Sequence, residues 1–293
     1  MNFKLCDSPF ARPASGLLLF ILCLASASCS SVEKRISRAD KIADKACLTK
    51  EAFQGDYFRL IVFQRIKDKN LPLRVYIEGD GKAFLRRTRI SSNPTPENPL
   101  ALRLASLDKY PNILYIARPF QYHVTADIPE GADAYWTTYR FSPEVVRDVN
   151  NAINKIKGSY GIESIVLIGY SGGGAIAELV AAGRKDVLLI ITVAGNLDID
   201  YHVKFHKLNP LTESPNPADY GDRLRLIPQI HFVGMNDKIV PSEVAESFKG
   251  KIKPEPGNFK VIKLRGYTHH DGWAENWSKL LSQYLNDSGL LDN

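Results

Sequence analysis

The amino-acid sequence predicts an α/β protein built on a mostly parallel, doubly wound sheet. Three observations carry that expectation. Short apolar runs alternate with stretches of helical period from residue 56 to residue 285. Repeated β–α units of this kind imply parallel strands joined by right-handed crossovers, with helices on both faces. The runs 165–168 (IVLI) and 187–193 (VLLIITV) show no polar alternation, as expected of strands covered on both sides. The chain has 293 residues, 44% of them hydrophobic, which is enough for one such domain with a sizeable core.

The N-terminus reads as a targeting segment over residues 1–28. Lys4 and Arg12 precede the apolar run 16–25, which is too short to span a bilayer comfortably. Small residues follow, and then Cys29-Ser30-Ser31. This resembles a bacterial lipoprotein signal, in which the cysteine is lipidated and becomes the new N-terminus. Ala25-Ser26-Ala27 also fits an ordinary A-x-A cleavage site, with plain secretion as the outcome. Either route takes the mature chain out of the cytoplasm. With Ser30 rather than an aspartate after the cysteine, the resemblance implies a lipid anchor in the outer membrane of the cell envelope. Cys6 and Cys23 leave with the leader, so Cys47 stands alone if Cys29 is lipidated; otherwise a Cys29–Cys47 bridge remains open. No C-x-x-C is present, which argues against a cysteine-based metal or redox site. Residues 29–51 are charged and weakly periodic, and read as a tether or a short helix spacing the globular part, 52–293, from the membrane.

Residues 56–66 and 72–78 read as successive strands joined by the polar turn 67–70. Gly79-Asp80-Gly81 then ends a strand in a loop. A dinucleotide fingerprint would need glycine or alanine at position 84, which is Phe84, and a P-loop would need serine or threonine where Ala83 follows Lys82. No nucleotide cofactor is expected. What survives is a glycine-rich loop able to offer a backbone N–H to an anion. A loop at 93–99, a helix at 100–107 and a strand at 113–117 follow, and 121–140 is irregular and aromatic, with His123, Tyr135, Trp136 and Tyr139. Ser142 as N-cap and Pro143 at the first helical position open a helix. Its stripe of Val145, Val146, Val149, Ile153 and Ile156 suits packing on a sheet, and Gly158 and Gly161 end it.

Residues 196–226 break the alternation. They are polar and contain Pro210, Pro215 and Pro217, and they read as a small cap over a pocket. His202 and His206 would share a helical face, but no third ligand is evident, so no metal is expected. The alternation resumes with strands at 227–233 and 259–264 and helices at 242–248 and 273–285. The formal net charge is +6, from 38 basic and 32 acidic residues scattered along the chain. That suits a solvated surface better than a nucleic-acid face.

The chemistry centres on Gly169-Tyr170-Ser171-Gly172-Gly173, a G-x-S-x-G turn between a strand and a helix. There a serine hydroxyl would be exposed at a strained apex. A serine is a weak nucleophile unless a histidine takes its proton and an acid orients that histidine. Asp237 follows strand 227–233 ahead of an apolar-Pro step, and His269 follows strand 259–264 in Gly266-Tyr267-Thr268-His269-His270. With nucleophile, acid and histidine in this order, the chain resembles the α/β-hydrolases over about 56–285. The resemblance implies Ser171 as nucleophile, Asp237 as acid and His269 as general base. His270 is the alternative base, and Asp198 and Asp200 the alternative acids. It also implies an oxyanion hole from the N–H groups of Gly172 and Asp80, the latter standing where the family often has His-Gly-x. The Asp80 carboxylate would then need neutralising, by Lys82 or Arg118. The expected function is hydrolysis of an ester, thioester or amide of a small-molecule or acyl substrate through an acyl-enzyme. The alternative is a non-catalytic envelope lipoprotein using the fold as a binding module. For either, 122–136 and 196–225 are expected to line an apolar pocket.

Overall fold

The computed structural model describes residues 31–86 and 88–286; the expected leader and Cys29 lie outside them. The described residues open in a helix, α1, which covers 31–45. Strands β1 (Thr49–Gln54), β2 (Arg59–Arg65) and β3 (Leu73–Ile77) follow, and then a small hairpin, β4 (Phe84–Arg86) and β5 (Arg89–Ile90). Next come α2 (Leu100–Leu107), β6 (Ile113–Ile116), α3 (Pro143–Tyr160), β7 (Ile165–Tyr170), α4 (Gly172–Ala182) and β8 (Val187–Val193). The chain continues through α5 (Ile199–His206), α6 (Gly221–Leu224), β9 (Gln229–Gly234), α7 (Ser242–Ile252), β10 (Phe259–Leu264) and α8 (Trp273–Asn286).

Eight of these strands form one sheet in the order β1-β2-β6-β3-β7-β8-β9-β10. β2 alone runs against its neighbours, pairing antiparallel with β1 and β6, and every other pair is parallel. Successive strand residues serve opposite faces. Ile165 and Leu167 join the core beneath α3, α4 and α7, whereas Val166, Ile168 and Tyr170 join the one beneath α1, α2 and α8. This two-sided burial explains the unbroken apolar runs of the central strands. α3 presents the expected stripe, with Val145, Val149, Ile153 and Ile156 buried and Val146 half-buried at its margin. It starts at Pro143, and Gly161 closes it in the left-handed region at φ 68°. Gly158 lies inside the helix rather than at its end.

Two expectations about organisation are corrected. Residues 31–51 are not a spacer. Val32, Ala39 and Ala43 are buried, the two alanines in the core shared with α2 and α8, and Thr49–Gln54 is an edge strand registered against β2. Apolar burial on one side of α1 fixes it to the domain. Nor do 196–226 form a cap over the cleft. Leu197, Ile199, Val203, Ala218 and Leu224 are buried in the same core as α4 and α7. Asp198 holds the segment to α7 by accepting from Ser247 Oγ at 2.6 Å and Lys251 Nζ at 2.9 Å. The segment packs against the side of the domain because its apolar residues face inward.

Candidate active site

β7 delivers its last residue, Tyr170, to the C-terminal edge of the sheet, and α4 begins at Gly172. Between them Ser171 turns at φ 52° and ψ −121°, a backbone state that residues with a Cβ rarely adopt. The turn is this tight only because its flanks lack side chains. A methyl at Gly169 would collide with the Gly173 carbonyl, and one at Gly173 with the Ile77 carbonyl on the adjacent strand.

β9 and β10 end at the same edge and supply the partners. Ser171 Oγ lies 3.0 Å from His269 Nε2, and His269 Nδ1 lies 2.8 Å from Asp237 Oδ2. A carboxylate only accepts, so in the neutral imidazole Nδ1 carries the proton and Nε2 is left to receive one from the serine. Asp237 Oδ1 accepts the N–H groups of Ile239 and Val240 at 2.8 and 2.9 Å, which fixes the carboxylate. His270 does not reach the serine. Its ring is partly buried against Tyr170, with Nδ1 2.7 Å from the Tyr170 hydroxyl. Burial and the neighbouring His269 lower its pKa. Asp198 and Asp200 serve other ends: the first caps α5 and pairs with Lys251, and the second accepts from Asn216. His202 and His206 both direct Nε2 at the Ile239 carbonyl, at 2.9 and 2.8 Å, and so brace the loop that carries Asp237. Burial holds His202 at about 4, neutral and suited to that contact. Among the described residues no group of three or more ligands could hold a metal ion.

The loop after β3 brings Asp80 beside Gly172, so closely that a Cβ on Gly172 would strike the Asp80 carboxylate. That carboxylate lies 3.3 Å from Arg118 Nη1 and 3.0 Å from Arg140 Nη1. Of the two neutralising partners read from the sequence, Arg118 fits. Lys82 turns away to pair with Glu97. Arg140 was not foreseen; it comes from the irregular aromatic stretch, and nothing in its local sequence marks it. Burial pulls the Arg118 guanidinium down to about 10, with Asp80 opposing the shift.

Glu78, one residue before this loop, is fully buried. Its two oxygens accept from the N–H groups of Gly79, Ala101 and Leu102 and from the Tyr115 hydroxyl. It thereby ties the loop to the N-terminus of α2. Burial outweighs those donors and raises its pKa to about 7.

An open cleft of about 660 Å³ lies over Ser171 and His269. Its walls are Asp80 to Lys82, Phe84 and Leu85 of the hairpin, Pro96 to Asn98, Tyr170, Ile239 and His270. Neither 122–136 nor 196–225 contributes, contrary to expectation. Tyr122 and Trp136 are buried instead. Trp136 meets Phe120 edge-on at 5.9 Å, and Tyr135 meets Phe58 in the same way at 4.7 Å. The aromatic stretch packs on itself and on β2's leading turn.

No family model and no curated protein matches the chain. Solved structures do resemble it. Est1E from Butyrivibrio proteoclasticus matches at a TM-score of 0.57 and 15% identity over 82% of this chain and 98% of its own. An alpha-beta serine hydrolase homologue from Coxiella burnetii matches at 0.52 and 17% identity, over 82% and 96%. Pyrococcus horikoshii acylaminoacyl peptidase matches at 0.59 and 12% identity, covering 81% of this chain but 41% of the longer enzyme. Sheet order, elbow and likeness agree: the chain has the α/β-hydrolase fold.

Proposed function

We propose that the chain is a serine hydrolase acting through an acyl-enzyme. One observation carries this reading: Ser171, on a strained elbow, and His269 lie at the floor of an open cleft in hydrogen-bonding sequence with Asp237 buried behind them. Ser171 Oγ attacks the carbonyl carbon while its proton passes to His269 Nε2, and Asp237 stabilises the imidazolium. The carbonyl oxygen gains the electron pair and is received by the N–H groups of Gly172 and Asp80. Collapse expels the alcohol, thiol or amine with the proton from His269, and water repeats the cycle on the acyl group. Pairing with two guanidiniums keeps the Asp80 carboxylate from opposing the oxyanion. Removing one such donor typically costs about 2.7–4 kcal/mol of transition-state stabilisation. The cleft mixes apolar and polar walls, which suits an acyl chain carried on a polar group. We place the chain at the cell envelope, anchored through Cys29.

A fluorophosphonate probe tests the reading. The native chain should label, and Ser171→Ala should not. His269→Ala should lose at least about a thousandfold in turnover of a soluble ester, and His270→Ala far less, because its ring is engaged with Tyr170. A native chain inert to the probe supports the binding module instead, and the reverse ranking of the histidines gives the base role to His270.

A further inference from the structure

The direction of α1 places both ends of that helix. Near its start, the Arg35 guanidinium donates to the Thr95 carbonyl and Arg38 to the Glu97 carbonyl. Glu97, with Pro96 and Asn98, forms one wall of the cleft. Just past its other end, the Ala46 carbonyl accepts from Arg65, which also donates to the carbonyls of Asp108 and Tyr110, before β6 begins. α1 therefore runs from the mouth of the cleft to the opposite edge of the sheet. Residue 31, the first described, therefore lies toward the catalytic edge. Cys29 precedes residue 31 by two positions in the sequence.

The same edge is apolar and cationic. The hairpin exposes Phe84, Leu85 and Ile90 at 42%, 43% and 41%, next to exposed Arg86 and Arg89. Past the end of β9, Met235 and Ile239 are 54% and 47% exposed, with exposed Lys238 beside them. Lys34 and Arg38 add charge from α1. Of the acids at this edge, Asp80 is paired with Arg118 and Arg140 and Glu97 with Lys82, while Glu33 is exposed on α1 and Asp271 beside His270. At the far edge, exposed Leu107, Tyr160 and Leu226 come singly, at or just after the ends of α2, α3 and α6. Apolar side chains flanked by arginine and lysine are the composition that enters the headgroup layer of an anionic bilayer.

We propose that the catalytic edge is the lipid-facing surface of the molecule. Seated on an anionic bilayer by the start of α1 and by the β4–β5 hairpin, the chain admits an acyl ester from that layer directly to Ser171. The seating stands on geometry and composition; the ester rests on the serine-hydrolase reading. Two thiol positions test it. The full chain, made with its own leader and purified from membranes, is reconstituted in vesicles of phosphatidylethanolamine and phosphatidylglycerol. Native Cys47, exposed at the far edge, carries an environment-sensitive fluorophore in one sample. Ile90→Cys with Cys47→Ser carries it in the other. Emission from position 90 should shift to the blue and be quenched by doxyl-labelled lipid, while position 47 behaves as in water. Equal behaviour at both positions, burial of 47 rather than 90, or failure to float with the vesicles overturns the seating. In parallel, Arg89→Glu with Ile90→Asp should lower hydrolysis of a vesicle-borne ester at least tenfold and leave a soluble short-chain ester unaffected; equal loss on both overturns it. A buried position 90 in a chain inert to both esters would retain the seating and remove the hydrolase reading. An active chain with position 90 in water would do the opposite.

Discussion

Ser171 holds a left-handed backbone at φ 52°, which costs a residue bearing a Cβ about 1–3 kcal/mol. Replacing it with alanine removes the hydroxyl but keeps that cost; replacing it with glycine removes both, less the extra freedom glycine gains when unfolded. Ser171→Gly should therefore be more stable than Ser171→Ala by about 1 kcal/mol, read as the difference in urea midpoints. Equal midpoints would mean that the turn holds no strain. At this scale the sequence was informative where chemistry is local. The elbow and the two later loops are short motifs, and the structure brings their Ser171, Asp237 and His269 together. Arg140 was not legible, because its pairing with Asp80 arises between loops 60 residues apart. Lys82 was misjudged for the same reason: its partner Glu97 is set by where the 94–98 loop passes.

Among the elements, β1 and the packing of α1 on the domain escaped the sequence reading, which had a short helix only as a spacer. The buried positions of α1 include two alanines, Ala39 and Ala43, set among charged residues, so its apolar stripe is faint. β1 is exposed at every position but one, where it is half-buried. Only its register against β2 reveals it. The segment after β8 failed differently: its apolar residues were visible, but nothing local says whether they face a cleft or a core. Ala39 distinguishes a packed helix from a spacer. Ala39→Glu would force a carboxyl into the core shared with α2 and α8, a change of the kind that costs about 2–4 kcal/mol. A fall in melting temperature of roughly 5–10 °C should follow. A spacer would tolerate the change with no shift.

For the molecule as a whole, pH couples the catalytic edge to stability. Glu78 has a pKa of about 7 when folded, against an ordinary 4.5, so folding takes up a proton between those values. Its contribution is complete below about pH 4.5 and is lost as the pH rises through 7. His202 and His231, held at about 4 and 3 by burial, act the other way, and their contribution is lost as the pH falls below 6.5. Glu78→Gln deletes the first term and leaves the second. Between pH 4.5 and 8 the variant should gain stability relative to the native chain by an amount on the order of 3 kcal/mol. Denaturant midpoints across that range measure it, and parallel curves would show that Glu78 stays ionised. The strand order has a consequence of another kind. β3 lies between β6 and β7, so the middle of the sheet closes only when a segment starting at Leu73 meets one ending at Tyr170. Pairings so distant along the chain form slowly. Were the chain threaded out N-terminus first, as the proposed export requires, α1, β1 and β2 would wait with their apolar sides uncovered until that middle arrives. How much protein would survive the export proposed above is then a matter of waiting time, set by a race between late assembly and the proteases and sticky surfaces of the compartment.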